Sequence, residues 1–356
     1  MRRSLIVTPA GISCNLRCDY CYNKSLTVSR CSIMSEQVLK RLIETAFFET
    51  NTRFIWHGGE PLLAGKEFFA KVVHLQKQYG KGKFFINSIQ TNCILIDDEW
   101  AKFFVKNNFY ISTSIDGDEQ LHNLHRKKVN GAGSYDDVMK GIQTLLKYGC
   151  KRVGVVLVIN KDNVNYPKRV FDAMVAHWPT GFEPNPCFES EKDDKEFMPS
   201  NDDLLGFLKT LFDLWWSMDD PKFHIRLFKD IIRVLLGGHP LDCTFKTDGC
   251  RYITAIDENG DVYICSRFLK EKRAHLGNIL ERNLYDIVYD SVSQDIYNQM
   301  SEINEKCQNC KWLKFCGSGC AYQRWITGDV KSEYYACKMR RELFEYVAEK
   351  VKPHIS

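Results

Sequence analysis

Cys14-Asn15-Leu16-Arg17-Cys18-Asp19-Tyr20-Cys21 places three cysteines at C-x3-C-x2-C spacing, with an aromatic residue just before the last. The count matters as much as the spacing. A structural zinc site wants four protein ligands, none missing. Three thiolates on a 4Fe–4S cube leave one iron without a protein ligand, and an open iron is what a chelating small molecule needs. A chance cluster in a cysteine-rich chain, or three of four zinc ligands, is the competing reading.

The surroundings narrow the choice. The chain has 356 residues, enough for one large domain and a smaller one. Its net charge of +4, from 49 basic and 45 acidic residues, is too balanced to argue for nucleic acid or an anionic membrane as partner. Met1-Arg2-Arg3 precedes the apolar Leu5-Ile6-Val7, but that run is too short for a signal segment and Thr8-Pro9 interrupts it. No stretch approaches the ~20 apolar residues of a membrane span. These features predict a reducing cytoplasm, where the 15 cysteines read as metal ligands rather than disulfides.

Downstream, strand patterns at 4–9, 54–57, 84–89, 110–115 and 153–159, and a weaker one at 182–188, alternate with helix patterns near 35–50, 66–79, 97–108, 135–148 and 164–177. Alternation of this kind predicts an α/β chain with a parallel sheet and right-handed crossovers, and six units make a partial, TIM-like (β/α)6 barrel. Chemistry in such barrels sits at the C-terminal ends of the strands. The triplet follows the first strand, Gly58-Gly59-Glu60-Pro61 the second, Gln90-Thr91-Asn92 the third and Asp116-Gly117 the fourth. Residues 1–190 are therefore expected to form the barrel.

A charged stretch at 189–200 and helices near 201–218 and 222–236 make a bridge over 191–240. The apolar stripe Leu204, Leu205, Leu208, Leu211, Phe212, Trp215 and Trp216 reads as core packing, or else as a peptide-docking face. From 241 to 340 the cysteine density rises, with Cys243, Cys250, Cys265, Cys307, Cys310, Cys316, Cys320 and Cys337. Between Cys250 and Cys265 two short strands flank Asn259-Gly260, a hairpin signal. So small a region lacks apolar residues to hold itself by burial, and metal sites are expected to supply the cross-links. Residues 341–356 form a C-terminal helix or tail.

The triplet and the strand-end motifs together resemble the radical S-adenosylmethionine (SAM) enzymes, and the later cysteines, at C-x9-G-x4-C, C-x2-C-x5-C-x3-C and a final Cys337, resemble their SPASM domain. The resemblance implies a SAM-binding 4Fe–4S cluster on Cys14, Cys18 and Cys21, and a cofactor pocket formed by Gly58, Gly59, Glu60, Pro61, Gln90, Asn92, Ser114 and Asp116. Glu60 would accept a hydrogen bond from the SAM ammonium. It implies two auxiliary 4Fe–4S clusters, one on Cys243, Cys250, Cys265 and Cys320, the other on Cys307, Cys310, Cys316 and Cys337. Of the remaining cysteines, Cys31, Cys93, Cys150 and Cys187 are expected as buried small hydrophobes. The implied reaction is reductive cleavage of SAM to a 5′-deoxyadenosyl radical that abstracts a substrate hydrogen, fed by a flavodoxin- or ferredoxin-type electron donor.

The same resemblance points to peptide maturases, which oxidise or cross-link a side chain of a peptide or protein substrate, and to anaerobic sulfatase maturases, which make formylglycine from Cys or Ser. In the latter an Asp follows the hairpin-closing cysteine as presumed base; here Cys265 is followed by Ser266 and Arg267. Glu183, Glu189 and Tyr22 are the positional candidates for the missing acid–base group. Only 13 residues precede Cys14, which leaves no room for a leader-binding domain. A small-molecule dehydrogenase and a non-catalytic metal-binding scaffold are the further alternatives.

Overall fold

The computed structural model describes residues 2–23, 32–151, 153–178, 180–188 and 196–354. Ten strands form one sheet: β1 (Arg2–Val7), β2 (Asn51–Trp56), β3 (Phe84–Gln90), β4 (Tyr110–Ser114), β5 (Val153–Ile159), β6 (Gly181–Pro186), β7 (His224–Ile225), β8 (Ile253–Ile256), β9 (Asp261–Tyr263) and β10 (His275–Asn278), in the order β10-β9-β8-β1-β2-β3-β4-β5-β6-β7. The first six are parallel neighbours, as the alternating pattern predicts. Helices Glu36–Thr45, Lys66–Tyr79, Asp98–Lys106, Tyr135–Lys147 and Pro167–His177 make the crossovers. The architecture is a partial (β/α)6 barrel joined to a smaller hairpin-containing region.

Burial against the helices fixes the register. Phe54 and Trp56 of β2 are fully buried and stacked, their ring centroids 6.0 Å apart. Trp56 meets Phe69 at 5.5 Å, Phe69 meets Trp100 at 5.6 Å, and Trp100 stacks on Phe104 at 5.3 Å. This aromatic layer runs between the sheet and two crossover helices. A one-residue slip of β2 would turn it to the other face, so the pairing Trp56↔Ile89 is strongly specified.

The apolar stripe of helix Asn201–Met218 is core. Leu204, Leu208, Leu211 and Phe212 are buried, Phe212 lies 5.2 Å from Phe228, and helix Cys337–Val351 covers the stripe with Leu343, Phe344 and Val347. Tyr346 donates to Asp213 at 2.6 Å across that contact. The docking-face alternative is thereby excluded.

The cysteine-rich region has a support that the sequence did not show. Beside the metal cross-links expected there, β8 pairs in parallel with β1 from Ser4↔Ile253 to Val7↔Ile256, and Arg3 donates to Thr254 Oγ1 at 3.1 Å. The exposed edge of the barrel sheet captures the hairpin, which in turn covers that edge. The turn is as the Asn-Gly signal predicts: Gly260 has φ +87°, and the buried Asp257 accepts from the backbone of Asn259 at 2.9 Å and of Asp261 at 3.0 Å. Hydrogen exchange on chelator-stripped protein checks this support. The amides of β8 should stay as protected as those of β1 while residues 307–337 exchange quickly; rapid exchange throughout β8 would contradict it.

Candidate active site

The cluster loop leaves β1 and is fastened by main-chain bonds. Arg17 N donates to Lys127 O at 2.7 Å and Asp19 N to His125 O at 3.0 Å. On the other side Gly59 N donates to Gly11 O at 3.0 Å and Glu60 N to Ser13 O at 2.7 Å. A Cβ on Gly59 would stand 2.0 Å from Ser13 O, which explains the glycine there. The close backbone approach is thus to the cluster loop.

Glu60 is fully buried, and its carboxylate points inward. It accepts from Leu62 N at 2.9 Å, Thr91 Oγ1 at 2.8 Å and Asn92 N at 2.8 Å. Burial pushes its carboxyl up to about 7, against the pull of these donors. These contacts bind the turn to the end of β3. Asn92 carries the link onward, donating to Asn15 Oδ1 at 2.7 Å and lying 3.8 Å from Cys14 Sγ. Gln90 donates to Ser114 Oγ at 3.1 Å, joining the ends of β3 and β4.

Asp116, grouped by sequence with the cofactor pocket, is sealed from it. It has no exposed surface and accepts from Arg126 at 2.9 and 3.1 Å, from Val158 N at 3.0 Å and from the Tyr20 hydroxyl. Burial would raise its pKa, and the Arg126 guanidinium more than offsets this, holding the carboxyl below its ordinary value. Since Tyr20 lies between Cys18 and Cys21, the pair anchors the cluster loop from below. Removing one partner of such a pair costs about 3–5 kcal/mol.

The eight later thiols fall into two sets. Burial and then Cys265, Cys320 and Cys243 push the Cys250 thiol up; burial, Asp242, Cys320 and Cys265 do the same to Cys243. Burial, Glu333, Cys316 and Cys307 push Cys337 up to about 11, and Cys310 N donates to Cys307 O at 3.1 Å. Within the triplet, burial pushes Cys14 up to about 12, with Glu60, Cys18 and Cys21 adding to it. Thiols gathered in threes and fours fit iron–sulfur clusters. Among the described residues no three Cys, His, Asp or Glu side chains converge on a single ion. Cys93, Cys150 and Cys187 are buried, as expected. Cys31 and Glu189 lie outside the described residues.

Tyr22, next to Cys21, lies within electrostatic reach of Cys265 and Arg267, which brings the triplet's loop and the first set near each other. It keeps 48% of its surface accessible, and burial pushes its hydroxyl up to about 12. Arg267 likewise keeps an accessible side chain. His57, at the end of β2, is pulled down to about 4 by burial and by Arg267. A cavity of about 100 Å3 adjoins, lined by Glu183, Arg226, Asp242, Arg267, Tyr335 and Arg340 among others. A larger depression of about 620 Å3 at Tyr166 and Arg169 carries no thiol. Sequence reading assigned no role to His57 or Arg267; the break from Asp to Ser266-Arg267 after Cys265 was the available signal.

The sequence comparisons agree with this arrangement. The Radical SAM superfamily profile matches residues 9–174, and that of the SPASM iron-sulfur cluster-binding domain matches 248–311. The chain belongs to the radical SAM enzymes with a SPASM domain, and its cofactors are SAM and three 4Fe–4S clusters. It is 30% identical over 360 residues to the cysteine-type anaerobic sulfatase-maturating enzyme of Clostridium perfringens strain 13, covering 96% of this chain and 95% of the relative. It is also 30% identical to the serine-type enzyme of Bacteroides thetaiotaomicron, covering 97% and 89%. The solved structure of anSMEcpe with bound AdoMet and the Kp18Cys peptide superposes with a TM-score of 0.89 at 27% identity, covering 99% of each chain. Streptococcus suis SuiB shares the fold at 18% identity, with a TM-score of 0.69 over 95% of this chain and 76% of SuiB. Among the described residues no helix is long and apolar enough to cross a membrane.

Two substitutions probe the loop's supports. Gly59→Ala should lose most iron from the triplet site, read as iron per protein after reconstitution. Gly206→Ala, in open space on a helix, should leave loading unchanged and add about 0.5–1 kcal/mol of stability; equal loading in both would contradict the argument. His122 gives a pH signature. Its Nε2 bonds Ser134 Oγ at 3.0 Å, its Nδ1 is buried without a partner, and burial followed by Arg126 pulls it from 6.5 to about 3. The unfolded imidazole thus takes a proton that the folded one refuses. This contribution is full above pH 6.5 and fades as pH falls towards 3. Urea midpoints of His122→Gln should fall less on acidification than those of the parent; an identical slope would contradict it.

Proposed function

We propose that this chain is a maturase that takes a hydrogen atom from a residue of a peptide or protein substrate, oxidising or cross-linking it. The supporting observation is a group of three thiols on the loop leaving β1 and, within electrostatic reach of the Tyr22 that follows it, the Cys265 end of a second, four-thiol group. When bound, SAM and the clusters supply a carbon radical that removes the hydrogen and an outlet for the electron left behind. Cys14, Cys18 and Cys21 hold the first cluster. Gly58, Gly59, Pro61, Gln90, Asn92 and Ser114 border the cofactor, while Glu60 and Asp116 position the segments that carry it. Cys243, Cys250, Cys265 and Cys320 hold one auxiliary cluster and Cys307, Cys310, Cys316 and Cys337 the other. A flavodoxin- or ferredoxin-type protein supplies the electron. The barrel is assigned to 1–190, the bridge to 191–240, the auxiliary region to 241–340 and the tail to 341–356.

The substrate's proton needs an acceptor. Tyr22 stays protonated at neutral pH and is a poor one. Glu183 of β6 lines the cavity, lies 3.2 Å from Arg226, and is pushed by burial up to about 7, where it can both take and release a proton. That contact is an ion pair, and Glu183 Oε2 makes no aligned hydrogen bond. Glu183 is therefore assigned as the acceptor.

Formylglycine formation is the second reading, favoured by the curated relatives named sulfatase-maturating enzymes. Against it stands Ser266, a hydroxyl where those enzymes carry the presumed base. Anaerobically reconstituted protein given SAM and dithionite should release 5′-deoxyadenosine; Cys18→Ala should release none, and Cys310→Ala should retain cleavage. Undiminished release from Cys18→Ala would overturn the assignment, and no release from any form would leave a metal-binding scaffold.

A further inference from the structure

Three arginines line the cavity between bridge, auxiliary region and C-terminal helix, and two of them are committed. Arg226 pairs with Glu183 at 3.2 Å and reaches Asp242 at 4.0 Å. Arg340 donates to Thr244 O and Oγ1, each at 2.9 Å, and is stacked between Phe245 and Tyr334. Of the acids there, Asp230 is spent on the backbone of Leu241 and Asp242. Arg267 is different. Among the described residues no hydrogen bond, ion pair or ring contact holds its guanidinium. It nevertheless sits deep in the protein, within electrostatic reach of His57 at the end of β2, Tyr22 beside the cluster loop, and Cys243, Cys265 and Cys320. It lines the same cavity as Glu183, the proton acceptor of the proposed reaction.

We propose that Arg267 selects a substrate bearing a carboxylate next to the reacting carbon, supplied by an Asp or Glu side chain or by the peptide's own C-terminus. The proposal rests on the maturase reading and names the substrate class for it. A guanidinium offers paired N–H donors in a plane that matches a carboxylate. A guanidinium that lines a cavity and has no fixed partner is free to pair with an anionic ligand. Thiolates nearby would repel a substrate carboxylate unless a cation stood between them, so the discrimination depends on this one side chain.

Binding tests this without needing turnover. Three fluorescent pools of short randomised peptides serve as probes: amide-capped with a central Asp or Glu, amide-capped with a central Asn or Gln, and alanine-centred with a free C-terminal carboxylate. Each is titrated into anaerobically reconstituted holoenzyme with SAM. At least one carboxylate pool should bind about tenfold tighter than the amide pool, the size of a charge-assisted pair, and which one does so identifies the source. Arg267→Gln should erase the preference, and Arg267→Lys should keep part of it. Should Arg267→Gln lose iron, the parent's acid-against-amide ratio and Arg267→Lys decide. Equal binding of all pools by the parent overturns the proposal, as does a preference that survives in Arg267→Gln. A shifted auxiliary-cluster potential with unchanged preference also overturns it, leaving Arg267 as a counter-charge to the cluster. Deoxyadenosine release from the same preparations reports separately on the maturase reading.

Discussion

The close approach of two backbones carries the site. Residues 11–13 and 58–60 run against each other with no room for a side chain at Gly59, joined by the bonds from Gly59 N to Gly11 O and from Glu60 N to Ser13 O. This contact sets where the cluster loop leaves β1, and the positions of Cys14, Cys18 and Cys21 follow from it. Through Glu60 it reaches Thr91 and Asn92, and through Asn92 it returns to Asn15 beside Cys14. The ring is closed almost wholly by main-chain and short polar groups, which lose little conformational freedom on ordering.

Two buried carboxylates serve this ring in different ways. Asp116 faces a guanidinium and stays ionised, so it can hold Tyr20 and Val158 together. Glu60 has only neutral donors, and burial brings its carboxyl near 7. Charge below the cluster loop is thus balanced by Arg126, while burial leaves the turn above it less charged than an ordinary carboxylate would be. An anionic cluster tolerates such a neighbourhood better than one with two uncompensated carboxylates.

Much of this was legible in the sequence. Strand ends could be placed because parallel strands buried on both faces are nearly continuous apolar runs, and because each ran into a polar motif. Helix Asn201–Met218 matches its sequence bounds since Ser200 caps it, accepting from Asp203 N. What stayed hidden was direction and distance. Nothing local says that Glu60 and Asp116 turn inward, as that depends on Thr91 arriving from the end of β3 and Arg126 from the end of a helix. The capture of β8 by β1 joins residues some 250 positions apart and leaves no periodicity to read. Arg267 is an ordinary arginine in sequence, and only the commitments of Arg226 and Arg340 set it apart.

Everything chemical in the account follows from one iron left without a protein ligand at the triplet. Mössbauer spectra of protein reconstituted with 57Fe, recorded before and after adding SAM, test this most directly. The account predicts that one iron site changes its isomer shift when SAM is added while the irons of the two four-thiol sets keep theirs. A spectrum that SAM leaves untouched, with every iron already in four-sulfur coordination, would contradict it.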